Sequence, residues 1–142
     1  LPILHRLMGK PRGTTRAHLA RATLEGIAFS VEDLLSAMVK DAERPLARLR
    51  VDGGASANDL LMQFQSDISA IVVERPTEVE STGRGAAMLA GLGAGLADLQ
   101  SVSGMLKLGR RFEPSMEAGE RAARARGWAG AVARTRSQSD AP

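Results

Sequence analysis

Arg50-Val51-Asp52-Gly53-Gly54-Ala55-Ser56-Ala57-Asn58 is the stretch whose reading decides the fold. Leu46, Leu49 and Val51 give its approach the apolar character of a strand. Gly53 and Gly54 then allow a turn that side chains would forbid, and they remove the Cβ atoms that would hold a ligand off the backbone. Ser56 or Asn58 can cap the helix that follows, and Asp59 puts negative charge in its first turn. Strand, Gly-Gly and capped helix together offer backbone N–H groups to a nucleotide. The same pattern also serves as a plain strand-to-helix connection whose glycines answer only to geometry. Composition alone leaves both readings open.

Upstream, Thr14 or Thr15 is a natural N-cap, and from there to about Lys40 runs the strongest periodic signal of the chain. Leu24, Ile27, Val31, Leu34, Leu35 and Met38 recur at steps of three and four, which predicts one apolar helix face. Arg44-Pro45 closes that segment, because the residue before a proline avoids helix. Downstream, Asn58 to about Ser69 is predicted as a helix with Leu60, Leu61, Phe64 and Ile68 on one face. Ile71-Val72-Val73 is a short β-branched run, read as a buried strand. Strand, helix and strand in about thirty residues make the βαβ unit of a parallel sheet. After a loop from Pro76 to Glu80, Ser81 or Thr82 is expected to cap a Gly- and Ala-rich helix reaching about Leu96. Its small residues suggest close approach to the sheet or to a ligand. A last helix is expected from about Ser115 to Ala133, then a disordered tail over 135–142 with its Ser-Gln-Ser-Asp-Ala-Pro. Residues 1–11 are uncertain: a divergent strand, a truncated end and a chance N-terminus all fit. The core is predicted to hold Leu24, Ile27, Val31, Leu34, Val51, Phe64, Ile68 and Val72.

The glycine turn does not stand alone. Leu49 to Asn58, continued by Leu61-Met62-Gln63-Phe64-Gln65-Ser66-Asp67-Ile68, closely resembles the adenosine-site segment of the glycerol-phosphorylating branch of the FGGY carbohydrate kinases. That family lies in the actin/hexokinase/Hsp70 group of ATP-binding folds. Arg12-Gly13-Thr14-Thr15 and Arg21-Ala22-Thr23-Leu24-Glu25-Gly26-Ile27-Ala28-Phe29 look like the family's long helix before that strand. Glu80-Ser81-Thr82 and Gly85-Ala86-Ala87-Met88-Leu89-Ala90-Gly91-Leu92 look like its last major helix, and Phe112-Glu113-Pro114 and Gly127-Trp128 fit its C-terminal end. The resemblance implies, over residues 12–134, the C-terminal portion of an actin-like (ribonuclease H-like) ATPase domain. This is an α/β fold with parallel strands, packed helices and an incomplete sheet, here two-stranded.

The resemblance also implies a function: the nucleotide-binding part of an ATP-dependent glycerol kinase, or of another sugar or polyol kinase of the family, or a non-catalytic remnant acting as a binding module. Gly54 and Asn58 are implied to contact the nucleotide, with Gly53 and Ala55 shaping the same wall. Asn58 offers both a donor and an acceptor to a purine edge. A kinase of this type also needs a base, a carboxylate for Mg²⁺ and phosphate-binding loops. The chain shows no Asp-x-Gly-Thr-Thr, so the catalytic residues, the Mg²⁺ ligands and the glycerol contacts are expected in segments N-terminal to it. The isolated chain is then expected to be inactive. Asp52 is expected to support the turn rather than bind metal, and Asp67 and Glu25 to form structural ion pairs. The family usually has Thr-Ala-Leu-Gly where this chain has Thr82-Gly83-Arg84-Gly85, and Arg84 is expected to reach solvent or a phosphate.

Composition narrows the partners. The chain has no cysteine, which removes disulfides and thiolate metal sites, and His5 and His18 lack ligand spacing. The longest apolar run, Ala86 to Ala97, falls short of the ~20 residues of a membrane span. No signal peptide is visible, so a cytoplasmic protein with no membrane partner is expected. The net charge is +3. Arg110, Arg111, Arg121, Arg124, Arg126, Arg134 and Arg136 carry much of the excess, without interleaved aromatics or a recognition motif. They read as a solvated helix face and not as a nucleic-acid surface. Exposed apolar surface would favour a homo-oligomer.

Overall fold

A computed structural model describes residues 13–78, 80–105 and 107–136. The expectations for residues 1–11 and for most of the tail fall outside them. Helix α1 spans Arg16–Ala42. Thr15 caps it, its hydroxyl accepting from the His18 N–H at 3.4 Å while His18 Nδ1 accepts from the Thr15 N–H at 3.1 Å. Glu43, in the left-handed region at φ 50°, ends it. Strand β1 is Arg48–Arg50, followed by a 3₁₀ turn at Gly54–Ala57 and helix α2 at Asp59–Ser69. Strand β2 is Val72–Pro76, helix α3 Ser81–Gly93, helix α4 Leu99–Gly104, strand β3 Leu108–Phe112 and helix α5 Ala118–Arg136.

The sheet has the order β1-β2-β3. β1 runs parallel to β2, with Leu49 opposite Val73, as the βαβ reading requires. β3 runs antiparallel to β2, with Val73 opposite Phe112 and Arg75 opposite Arg110. This third strand corrects the expected two-stranded sheet. Leu-Gly-Arg-Arg-Phe has one glycine and two cations in five residues, so neither alternation nor β-branching announces it. Tertiary pairing makes the strand, and Gly109 permits it: a Cβ there would come within 2.7 Å of the Thr77 backbone nitrogen. The pairing shifts register between Arg75 and Pro76, where proline has no N–H to give the ladder.

One face of the sheet is covered by α2, with α1 packed outside α2. The core is Ala28, Phe29, Leu61, Met62, Phe64, Ile68, Val73 and Phe112, with Leu24, Leu49, Val51, Met116 and Trp128 packed against it. Phe29 meets Phe64 edge-on at 5.5 Å and stacks on Trp128 at 5.3 Å. The predicted phase of α1 needs correcting. Leu34 is 60% exposed, Met38 52% and Ile27 38%, while Ala28 is fully buried. The inward stripe is Leu24, Ala28, Val31 and Leu35, and Ile27, Leu34 and Met38 lie one step round the helix. A periodicity count weights large side chains, but two helices approach closest over a small one. Leu60, also expected inside, is 52% exposed for the same reason of phase.

α2 also buries Gln65, Ser66 and Asp67, and each is partnered. The Ser66 hydroxyl shares its single proton between the carbonyls of Ile71 at 2.8 Å and Phe112 at 3.0 Å. The Asp67 carboxylate accepts from the N–H groups of Ser115 at 2.7 Å and Met116 at 3.2 Å, so it ties down the start of the C-terminal segment, and among the described residues it pairs with no arginine. Glu25 does form ion pairs, with Arg21 at 2.8 Å and Arg124 at 3.6 Å.

Further corrections concern the C-terminal half. Glu80, not Ser81 or Thr82, caps α3 by accepting from the Gly83 N–H. None of the described residues of α3 is buried, so its small side chains do not serve a tight approach to the sheet. Arg84 donates to the Met105 carbonyl at the end of α4. α4 was not expected; Asp98 caps it through the Ser101 N–H at 2.7 Å. Helix α5 continues through Arg136, past the expected boundary at Ala133. Arg110 and Arg111 lie on β3, not on a helix face.

The second sheet face carries charge. Glu74 is 7% exposed, lies opposite Arg50 and accepts from Arg48 at 3.4 Å and Arg50 at 3.3 Å. Burial alone would raise its pKa, but the hydrogen bonds and charges of Arg50 and Arg48 outweigh burial and lower it. Glu74 therefore contributes stability that is present above its ordinary carboxylate pKa and lost as pH falls through the depressed folded value. Replacing Glu74 with Gln is expected to flatten the acid limb of a stability-versus-pH curve; an unchanged limb would remove this assignment. In the core, Phe64→Ala is expected to cost about 3–5 kcal/mol in urea unfolding. Leu34→Ala should stay within about 0.5 kcal/mol, because Leu34 stands in solvent.

Candidate functional site

The glycine turn begins where β1 leaves the sheet. The Val51 N–H still donates to the Glu74 carbonyl at 3.0 Å, and then the chain departs. Gly53 takes φ 79° and ψ 171°, a conformation essentially closed to residues with a side chain. Gly54 opens the 3₁₀ turn with an ordinary negative φ. A Cβ placed on either glycine would meet nothing within 4 Å. The two glycines therefore differ in kind: Gly53 answers to backbone conformation, and Gly54 leaves open space in front of the main chain.

The turn is closed from inside. The Ser56 N–H donates to the Gly53 carbonyl at 3.0 Å, and its hydroxyl donates to the same oxygen at 2.7 Å. Ser56 is 1% exposed and is the inner pin of the turn. The Asn58 N–H donates to the Ala55 carbonyl at 3.2 Å. Asn58 is the cap of α2, its Oδ1 accepting from the Leu61 N–H at 3.1 Å. That settles the choice between Ser56 and Asn58 as cap, and it commits one lone pair of Asn58 Oδ1 to the helix. Gly53, Gly54, Ala55 and Asn58 come together on one short connection, with Gly54, Ala55 and Asn58 exposed. Asp52 is exposed at the strand end.

Sequence reasoning missed what lies beneath. Arg75 Nη1 donates to the Ser56 carbonyl at 2.7 Å and pairs with Asp59 Oδ1 at 2.8 Å. Arg110 pairs with the other oxygen of the same carboxylate. Both guanidinium groups lie over the Phe112 ring, at 5.4 Å and 4.8 Å from its centre. A signal was available. Val73 and Arg75 are two apart on a strand and so share its covered face, and an arginine on a covered face needs a partner.

With this geometry in hand, comparison with known proteins is specific. Residues 3–94 match the FGGY family of carbohydrate kinases, C-terminal domain. The chain is 53% identical over 132 residues to a glycerol kinase of Acinetobacter baylyi, covering 92% of this chain and 27% of that protein. It is 53% identical over 131 residues to a glycerol kinase of Rhodopirellula baltica, covering 92% and 24%. Among solved structures it resembles Plasmodium falciparum glycerol kinase with ADP, at a TM-score of 0.80 and 37% identity over 92% of this chain and 26% of that one. The chain thus spans about a quarter of the length of the relatives it matches.

The difference between the glycines is measurable without any ligand. Gly53→Ala is expected to destabilise the chain by about 1–3 kcal/mol, the cost of forcing a side chain into that backbone region. Gly54→Ala should be close to neutral. Equal effects in thermal or urea unfolding would show that the two positions are not distinguished as described.

Proposed function

The chain belongs to the FGGY family of carbohydrate kinases, and on that premise we propose that it forms the nucleotide-side portion of an ATP-dependent glycerol kinase, which moves the terminal phosphoryl group of ATP to glycerol to give glycerol 3-phosphate. The observation that carries the reading is the 53% identity, over nearly the whole chain, to a protein named for that reaction. The likeness to a glycerol kinase structure with ADP supports placing a nucleotide in the same enzyme. A cytoplasmic location is part of the proposal. No helix among the described residues is long and apolar enough to cross a membrane.

The turn suits one end of ATP. The exposed main chain at Gly54 and Ala55 can lie against a flat ring because no Cβ of Gly54 intervenes. Gly53 supplies the backbone reversal that presents it. The Asn58 side-chain N–H₂ donates to the purine edge while Oδ1 holds the helix, so ligand and cap share one residue. When bound, ATP supplies the transferable phosphoryl group; this chain's part is to hold and orient the adenosine end. Among the described residues no group of three or more His, Asp or Glu side chains could hold a metal ion. The base, the Mg²⁺ ligands and the glycerol contacts are proposed for other parts of the enzyme.

In the whole enzyme, Gly54→Val is expected to block ATP by filling the contact. Asn58→Ala is expected to weaken ATP by about 1–3 kcal/mol, with glycerol affinity unchanged. The 142-residue polypeptide on its own should show no glycerol-dependent turnover in a coupled assay with ATP and Mg²⁺, since holding one end of ATP supplies neither a base nor a metal site. Unchanged ATP affinity in both variants would remove the site. Turnover by the polypeptide alone would remove the division of labour.

A further inference from the structure

We propose that Arg75 is the positioning residue of the glycine turn: it fixes the presented backbone to the sheet, and so sets nucleotide affinity without touching the nucleotide. The nucleotide part of this inference rests on the function proposed above.

Among the described residues, the other polar ties of the turn are local. Ser56 bonds to Gly53, Asn58 to Ala55, and Leu61 to Asn58, all within three residues. Such bonds shape the turn but do not say where it stands relative to the sheet. Arg75 supplies that information from 19 residues away. Its Nη1 reaches the Ser56 carbonyl, which lies between Gly54 and Asn58, the two residues assigned to the adenosine. The same nitrogen pairs with Asp59, the first residue of α2. One guanidinium group thus holds the middle of the turn and the start of the next helix at a set distance from β2.

The arginine is itself immobilised. Its side chain is 15% exposed and lies over the Phe112 ring on β3. Arg110, opposite it in the β2–β3 register, approaches the same ring and takes the other Asp59 oxygen. Two like charges side by side are tolerable because one carboxylate lies against both. The position of the turn therefore depends on the last strand, about fifty residues further along the chain. A lysine could carry the charge, but it has no planar group to lie over the Phe112 ring.

The test is hydrogen exchange on this chain without ligand, together with ADP binding and glycerol KM in the whole enzyme, for Arg75→Met and Asp59→Asn. Arg75→Met keeps the apolar contact with Phe112 and removes both polar ties. The Ser56 and Asn58 amides are expected to exchange about tenfold faster in it, the equivalent of one hydrogen bond from a charged group. The Val51 amide, which reports the β1–β2 pairing, should be unchanged. Asp59→Asn should shift the same two amides in the same direction by a smaller factor. In the whole enzyme, ADP affinity should fall about tenfold in Arg75→Met, with the glycerol KM unaltered. Unchanged exchange at Ser56 and Asn58 overturns the inference. Acceleration that extends equally to Val51 also overturns it, because Arg75 would then be supporting the sheet as a whole. Faster exchange at the turn with undiminished ADP affinity overturns the link to the nucleotide. If the wild-type whole enzyme fails to bind ADP, the proposed function fails, and the exchange arm alone still decides whether Arg75 holds the turn.

Discussion

Phe64 sits where three helices meet, and the rest of the structure depends on its burial. It lies edge-on to Phe29 of α1, and Arg124 of α5 covers its ring at 5.8 Å. Trp128 of α5 stacks on Phe29 and donates to Asp33 at 2.8 Å, so the aromatic contact has a polar lock at its rim. Burying three aromatic side chains stabilises by several kcal/mol, more than any surface ion pair here can contribute. With this cluster in place, α2 has one rotational setting. Its other inward residues, Leu61 and Ile68, join Val73 and Phe112 of the sheet in one core cluster, while Ser66 bonds to the Phe112 carbonyl and Asp67 to the Ser115 and Met116 N–H groups.

That rotational setting links the core to the site. α2 begins at the glycine turn, so whatever orients the helix also orients the turn. The start of α2 is gripped from two sides: Asn58 caps it, and Asp59 ties it to Arg75 and Arg110. The C-terminal segment is gripped by the same helix, through the Asp67 carboxylate on the Ser115 and Met116 N–H groups. α2 is the common member of both sets of contacts. A carboxylate bonded to two backbone N–H groups in a nearly dry position is a specific, directional connection, unlike the solvated pairs on the outer faces.

The two faces of the sheet behave differently for a physical reason. Toward α2, Val73 and Phe112 are buried, with the Arg75 and Arg110 guanidinium groups over the Phe112 ring. On the other side Arg48, Arg50, Glu74, Lys107 and Leu108 border a cleft of about 210 Å³. Glu74 can be nearly inaccessible there because two guanidinium groups take its oxygens. The glycine turn lies at the end of β1 that leads into α2. In an open α/β sheet the end of a strand that leads into a helix is where ligands bind, since the chain must leave the sheet there and backbone groups become free to face outward.

Much of this was legible in the sequence. The βαβ unit, the span of α1 from Thr15, the strand before the glycines, the glycine turn with its cap at the start of α2, and the burial of Phe64 and Ile68 all follow from local rules: caps, periodicity and the backbone freedom of glycine. Local rules act within a few residues, so a sequence exposes them directly. Three matters were decided only by tertiary structure. Which stripe of α1 faces inward is marked by the full burial of Ala28, a small residue that a count of large apolar residues overlooks. β3 exists because β2 had a free edge for Leu108–Phe112 to pair with, not because that stretch favours a strand. The grip of Arg75 on Ser56 and Asp59 joins groups brought together only when β2, α2 and β3 assemble, and a side chain's long-range partner is not written in its own neighbourhood. The conformation of the turn could be read from nine consecutive residues; its placement could not.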